Sequence, residues 1–327
     1  MIYLYFAAFI VAFAVLFKSA SYFVDGASSI SKILNVPKLV IGVVLVGLGT
    51  TAPEFGVTLY AAIIGKGEIA IGNAIGSVIC DDGVALALAA IVAPAVIFVD
   101  CRILKLMGLF LISIDVLAYV LARNGRLGRI EGFCLVLILC VYYVFIIRSQ
   151  RRNRSRQDKE GSNPTSPERA PEKLDKSSLS RPVKLFLFGL VGVGSMSYVV
   201  VESAVKIAKH FEISEIIIGS TIVAIGTSLP EISTCITAAM KGEGEIAVGD
   251  IIGADILNIL WIIGVASLVK PIEVDLNVIN FSFPFMILIV AVMLVSLRIG
   301  CRLTKIKGVI LFALYGIYLF LVFHLFI

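Results

Sequence analysis

The sequence predicts an all-α integral membrane protein: ten transmembrane helices, arranged as two inverted five-helix repeats with broken helices at the midplane. Three observations predict it. The 327 residues are 59% hydrophobic and only 16% charged, with a mean hydropathy of +1.02, against roughly a quarter charged in soluble domains. The apolar residues fall in long continuous runs rather than the short alternating segments of a barrel. The chain also repeats itself at an offset of 177 residues. This composition excludes a soluble enzyme, a nucleic-acid-binding domain and a secreted disulfide scaffold.

A helix needs about 20 apolar residues to cross the hydrocarbon. By that ruler the first five spans lie near 2–24, 38–64, 69–96, 103–122 and 130–148. The second five lie near 184–209, 213–240, 246–269, 278–298 and 306–326. The first run lacks a basic leading segment and is too long for a signal peptide, so it reads as a spanning helix.

Between the two sets, residues 149–182 are almost free of apolar side chains and rich in Ser, Pro, Arg and Lys. This reads as a flexible basic linker, dividing the chain into membrane repeats at 1–148 and 183–327. Eleven Lys/Arg and five Asp/Glu between Arg148 and Lys184 hold more than the whole net charge of +5. Arg151, Arg152, Arg154 and Arg156 place the linker in the cytoplasm by the positive-inside rule, which puts both termini outside. The loop with Arg298, Arg302, Lys305 and Lys307 then falls inside, in agreement, whereas Arg123, Arg126 and Arg129 fall outside. The six cysteines form no CxxC pair or disulfide framework and read as small core residues.

The repeat places 41–81 on 218–258 without a gap. Gly49-Thr50 meets Gly226-Thr227, Pro53-Glu54 meets Pro230-Glu231, and Gly67-Glu68-Ile69-Ala70 meets Gly244-Glu245-Ile246-Ala247. Five spans is an odd number, so the two copies insert in opposite directions, as in many secondary transporters. The matches cluster on polar and helix-breaking residues rather than on generic apolar ones.

Within the second and seventh spans stand Gly49-Thr50-Thr51-Ala52-Pro53-Glu54 and Gly226-Thr227-Ser228-Leu229-Pro230-Glu231. Each proline removes a donor and frees the carbonyl four residues upstream. A carboxylate at the bilayer centre costs at least ~2.5 kcal/mol, so two in matched positions point to a shared cation. The only obvious intramembrane cation of the protein itself is Lys18, whose repeat counterpart is Ser195. The third and eighth spans add Ser77 and Asp81, and Ala254 and Asn258, each pair four residues apart on one helix face. Gly72 with Gly76, and Gly249 with Gly253, are small-residue pairs suited to close helix packing. Glu54, Glu231, Asp81, Asn258, Thr50, Thr51, Ser77, Thr227 and Ser228 form an oxygen-only set, with no matched His or Cys. Such a set suits Ca²⁺ or Na⁺ rather than Zn²⁺ or Cu²⁺. No resident cofactor is expected.

These paired G-T-[ST]-x-P-E motifs, each followed by G-[ND]-x-x-G, resemble the sodium/calcium exchanger family of the calcium/cation antiporters. The resemblance implies exchange of Ca²⁺ against Na⁺ by alternating access in a cell-membrane transporter. It implies that Glu54 and Glu231 hold Ca²⁺, helped by Thr50 and Thr227. Ser77, with Thr51 and Ser228, would serve Na⁺, and Asp81 and Asn258 would lie at the centre. The chain departs from the family pattern at Ala254, Val78, Asp250 and Asp255. Ala254 lacks the hydroxyl that matches Ser77. Glu54, Glu231 and Asp81 together would carry −3 if ionised, and one Ca²⁺ leaves −1. A proton on Asp81 or a further cation balances it, which makes Ca²⁺/H⁺ antiport the alternative. An intramembrane aspartyl protease is disfavoured, since the chain has no Tyr-Asp pair and Gly249-Asp250 does not complete GxGD. A channel is disfavoured because the chain carries its own two-fold repeat. The expected partners are Ca²⁺, monovalent cations and the bilayer, with no nucleic acid.

Overall fold

The computed structural model describes residues 2–160, 179–211 and 224–326. Twelve helices account for nearly all of them. In chain order these are α1 (Ile2–Leu34), α2 (Lys38–Thr50), α3 (Ala52–Ile63), α4 (Gly67–Val92), α5 (Cys101–Ala122) and α6 (Arg129–Glu160). There follow α7 (Ser180–His210), α8 (Ala224–Thr227), α9 (Leu229–Met240), α10 (Gly244–Val269), α11 (Val278–Cys301) and α12 (Lys305–Phe326). Eight helices among the described residues are long and apolar enough to cross a membrane. The bent pair α2 and α3 makes a ninth. The expected seventh span, 213–240, lies in part outside the described residues, as does most of the linker. α6 continues to Glu160, past the apolar run that ends near 148, so the first residues of the expected linker are helical.

Four two-residue strands tie the helix ends together: β1 (Ile97–Phe98), β2 (Arg126–Leu127), β3 (Ile272–Glu273) and β4 (Arg302–Leu303). β1 pairs antiparallel with β4 and β2 with β3, so both ladders join one half to the other. The β1–β4 ladder brings Cys101 and Cys301 together as a disulfide, with Cα atoms 5.4 Å apart. This corrects the reading of all six cysteines as core residues. Two hundred residues separate the pair in sequence, so only the pairing of the halves reveals it. Cys80 and Cys235 are buried as expected, while Cys134 and Cys140 are exposed.

The core sits around α4 and α10, of whose apolar windows 78% and 83% is buried, against 17% for α1. The reason for this contact is visible in the glycines. A Cβ on Gly42 would lie 2.7 Å from the Gly249 Cα, and one on Gly253 would strike the Val43 backbone. α10 therefore rests directly on the backbone of α2. Gly72 and Gly76 face open space among the described residues. Gly219, the repeat counterpart of Gly42, lies outside them. α1 and α7 pack against one another along their length, with Gly26 on the Phe186 backbone and Gly189 on that of Phe23.

The repeat reaches the irregular backbone. π-helical turns open at Asp81 (Asp81–Leu86) and at Asn258 (Asn258–Ile263), 177 residues apart and six residues each. Gly65 and Gly242, also matched, both turn through positive φ, at 79° and 73°. At one end of the bundle, Asp25 pairs with Lys241 at 2.6 Å and Lys38 with Glu243, which also accepts from the Ser28 hydroxyl.

Candidate cation-binding site

Two helix breaks create the site. Between α2 and α3 the axis turns by 48° at Thr51, whose ψ of 4° ends the helical run. Ser228, with ψ 8°, does the same between α8 and α9. In each half proline stands in the first turn of the following helix, where its missing N–H costs least. Glu54 and Glu231 occupy those same first turns, next to unsatisfied backbone N–H groups whose dipole favours negative charge.

All the expected site residues are buried. Thr50, Glu54, Asp81, Ser228, Glu231 and Asn258 are fully so, and Thr51, Ser77 and Thr227 nearly so. The two breaks and the two π-turns bring the acidic ones together: the charges of Glu54, Asp81 and Glu231 act on one another. Both oxygens of Glu54, Glu231 and Asp81, the whole amide of Asn258 and the hydroxyls of Ser77 and Ser228 find no hydrogen-bond partner among the described residues. Buried polar groups are ordinarily paired. Unpaired oxygens of this kind suit a hard cation. No three Asp, Glu, His or Cys side chains among the described residues surround a single point. Hydroxyl and carbonyl oxygens must therefore complete any coordination shell.

The threonines are partly committed. Thr51 donates to the Gly47 carbonyl at 2.8 Å. Thr50 donates across the halves to Asp250 Oδ1 at 3.0 Å, with longer approaches to the Val46 and Gly47 carbonyls. Lys18 is exposed and sits over the Tyr22 ring, so it neutralises none of the buried carboxylates. Asp25 and Glu202, matched across the repeat, form ion pairs with Lys241 and Lys206. Trp261 stacks on Phe55 at 5.4 Å.

Two buried acids escaped the sequence reading. Asp82 directly follows Asp81, and Asp115 is the lone acid in the middle of α5. Both are fully buried and unpartnered among the described residues, as is Asp255. The charges of these three act on one another. The signal was present in Asp115: a single carboxylate inside an apolar run deserves a functional reading by default.

A helical, multi-pass membrane bundle with two broken helices and a buried, oxygen-only, acid-rich centre defines an ion transporter. The comparisons with known proteins give the family. The profile of the family described as "Sodium/calcium exchanger protein" matches residues 4–148 and 182–324, and the chain belongs to that family. It is a transporter and not an enzyme. It is 33% identical to the "Putative antiporter CaxA" of Alkalimonas amylolytica, over 96% of this chain and 97% of that one. It is 29% identical to the "Sodium/calcium exchanger MaX1" of Methanosarcina acetivorans, over 95% of this chain and 96% of the other. Among solved structures it resembles the sodium-calcium exchanger NCX_Mj, soaked with 2.5 mM Na⁺ and 0.1 mM Ca²⁺. The TM-score is 0.81, with 28% identity over 98% of both chains.

Proposed function

We propose that the chain exchanges Ca²⁺ against Na⁺ by alternating access at a site built from both halves. The observation that carries this reading is the matched pair Glu54 and Glu231. Each is fully buried, each lies just past a helix break, and neither has a hydrogen-bond partner among the described residues. Removing one carboxylate from such a pair takes away one of the two matched ligands on which the divalent ion depends. Thr50, Thr227 and freed backbone carbonyls complete the Ca²⁺ shell. Ser77, Thr51 and Ser228 serve Na⁺, and Asp81 and Asn258 lie between.

The ten-helix inverted arrangement belongs to the same reading. Strand pairing supports it: β1 pairs with β4 and β2 with β3, the exchange that a two-fold axis between equivalent halves generates. On this reading the breaks lie near the bilayer midplane, and two equivalent halves rock about one fixed site. Charge places the linker in the cytoplasm and both termini outside a cell membrane.

A second reading, Ca²⁺/H⁺ antiport, is favoured by the number of buried carboxylates: Asp81, Asp82, Asp115, Asp250 and Asp255 besides the two glutamates. Radiolabelled Ca²⁺ uptake into proteoliposomes separates the two. An outward Na⁺ gradient is expected to drive uptake, and Glu54→Gln or Glu231→Gln to abolish it. Uptake driven by a pH gradient alone would replace Na⁺ with H⁺ as the counter-ion. Wild-type flux in either variant would refute the site.

A further inference from the structure

The repeat contains a second matched layer behind the glutamates. Thr58 and Cys235 are 177 residues apart, as are Asn73 and Asp250. In the first half the Asn73 amide donates to the Thr58 hydroxyl at 3.0 Å and to the Glu54 carbonyl at 3.3 Å. These contacts stay within that half. In the second half the Cys235 thiol lies within hydrogen-bonding reach of Asp250 Oδ2, at 3.6 Å, and of the Ala247 carbonyl, at 3.5 Å. Here the matched position is an acceptor rather than a donor, and Oδ1 is left to reach across and take the Thr50 hydroxyl at 3.0 Å. Asp250 is fully buried. Unlike Glu54, Glu231 and Asp81, it has both oxygens engaged.

We infer that Asp250 is a positioning residue for cation binding: by accepting the Thr50 proton, it turns the lone pairs of that hydroxyl toward the cation. A hydroxyl has one proton and two lone pairs. It coordinates a cation only when its proton points elsewhere. The alternatives for that proton are the Val46 and Gly47 carbonyls, both at 3.3 Å. Asp250 Oδ1 is the nearest of the three acceptors, at 3.0 Å, and takes the proton on geometry. The inference rests on Thr50 being a Ca²⁺ ligand, as proposed above.

The test is a double-mutant cycle on the KM for Ca²⁺ and the maximal rate in proteoliposomes. Asp250→Asn removes the charge but keeps an acceptor oxygen; Asp250→Ala removes both. With Thr50 present, the Ala variant is expected to show a KM roughly tenfold above that of the Asn variant, the scale of a lost buried hydrogen bond, with little change in maximal rate. In a Thr50→Ala background the two Asp250 variants are expected to be equal, since the hydroxyl on which Asp250 acts is gone. Equal KM values with Thr50 present, or a difference that persists without it, would overturn the inference. If Asp250→Ala does not give monodisperse protein, Asp250→Leu fills the space without an acceptor and serves the same comparison. Thr50→Ala alone reports on the underlying reading. An unchanged KM there would remove Thr50 from the site, whereas a raised KM with no Asn-to-Ala difference at 250 would sink only the role of Asp250.

Discussion

At the scale of single residues, the halves agree at the two glutamates proposed to hold the cation and differ at the polar positions around them. Glu54 and Glu231 match, but Ser77 faces Ala254, Asp81 faces Asn258 and Asn73 faces Asp250 across the repeat. Ala254 is fully buried, and its backbone N–H side lies against Gly47 of the opposite half. A hydroxyl there adds one oxygen to the set without adding charge. Ala254→Ser is therefore expected to leave Ca²⁺ binding intact and to steepen the dependence of uptake on the Na⁺ gradient. Parallel Ca²⁺-binding and Na⁺-driven uptake assays measure this, and loss of Ca²⁺ binding would show that the position has no room for a hydroxyl.

At the scale of elements, backbone contact rather than side-chain volume holds the centre. The helix α10 lies on α2 through Gly42, Gly249 and Gly253, and a Cβ at Gly249 would strike the Leu39 carbonyl. A backbone carbonyl cannot swing aside as a side chain can. Gly249→Ala is expected to lower the thermal stability of the detergent-solubilised protein by about 1–3 kcal/mol. Gly316→Ala, on an open face of α12, is expected to leave it unchanged or raise it slightly. Equal melting curves for the two variants would refute the packing argument. Much of this was legible in sequence. The spans followed from hydropathy, and the breaks followed from Gly, Pro and hydroxyl residues inside apolar runs. The π-turns at Asp81 and Asn258 were not, because a one-residue change of helical register leaves no compositional trace. The strand ladders were not either, since two residues are too few to show a period of two.

At the scale of the whole molecule, the proposed site lies where the halves meet. The sequence pointed to it through the offset of 177 and the matched carboxylates. It did not show which oxygens remain free. Thr50 and Thr51 both enter the expected oxygen set, yet one bonds Asp250 of the other half and the other bonds its own helix. Nor did it show the disulfide between Cys101 and Cys301, or the burial of Asp82 and Asp115. All of these depend on contacts between residues far apart in the chain. The joint character of the site is also what is most directly measurable. Equilibrium binding of radiolabelled Ca²⁺ to the purified protein is expected to give one ion per chain, lost in Glu54→Gln and lost equally in Glu231→Gln. Two ions per chain, or one variant that binds as the unaltered protein does, would mean that the halves do not share a single site.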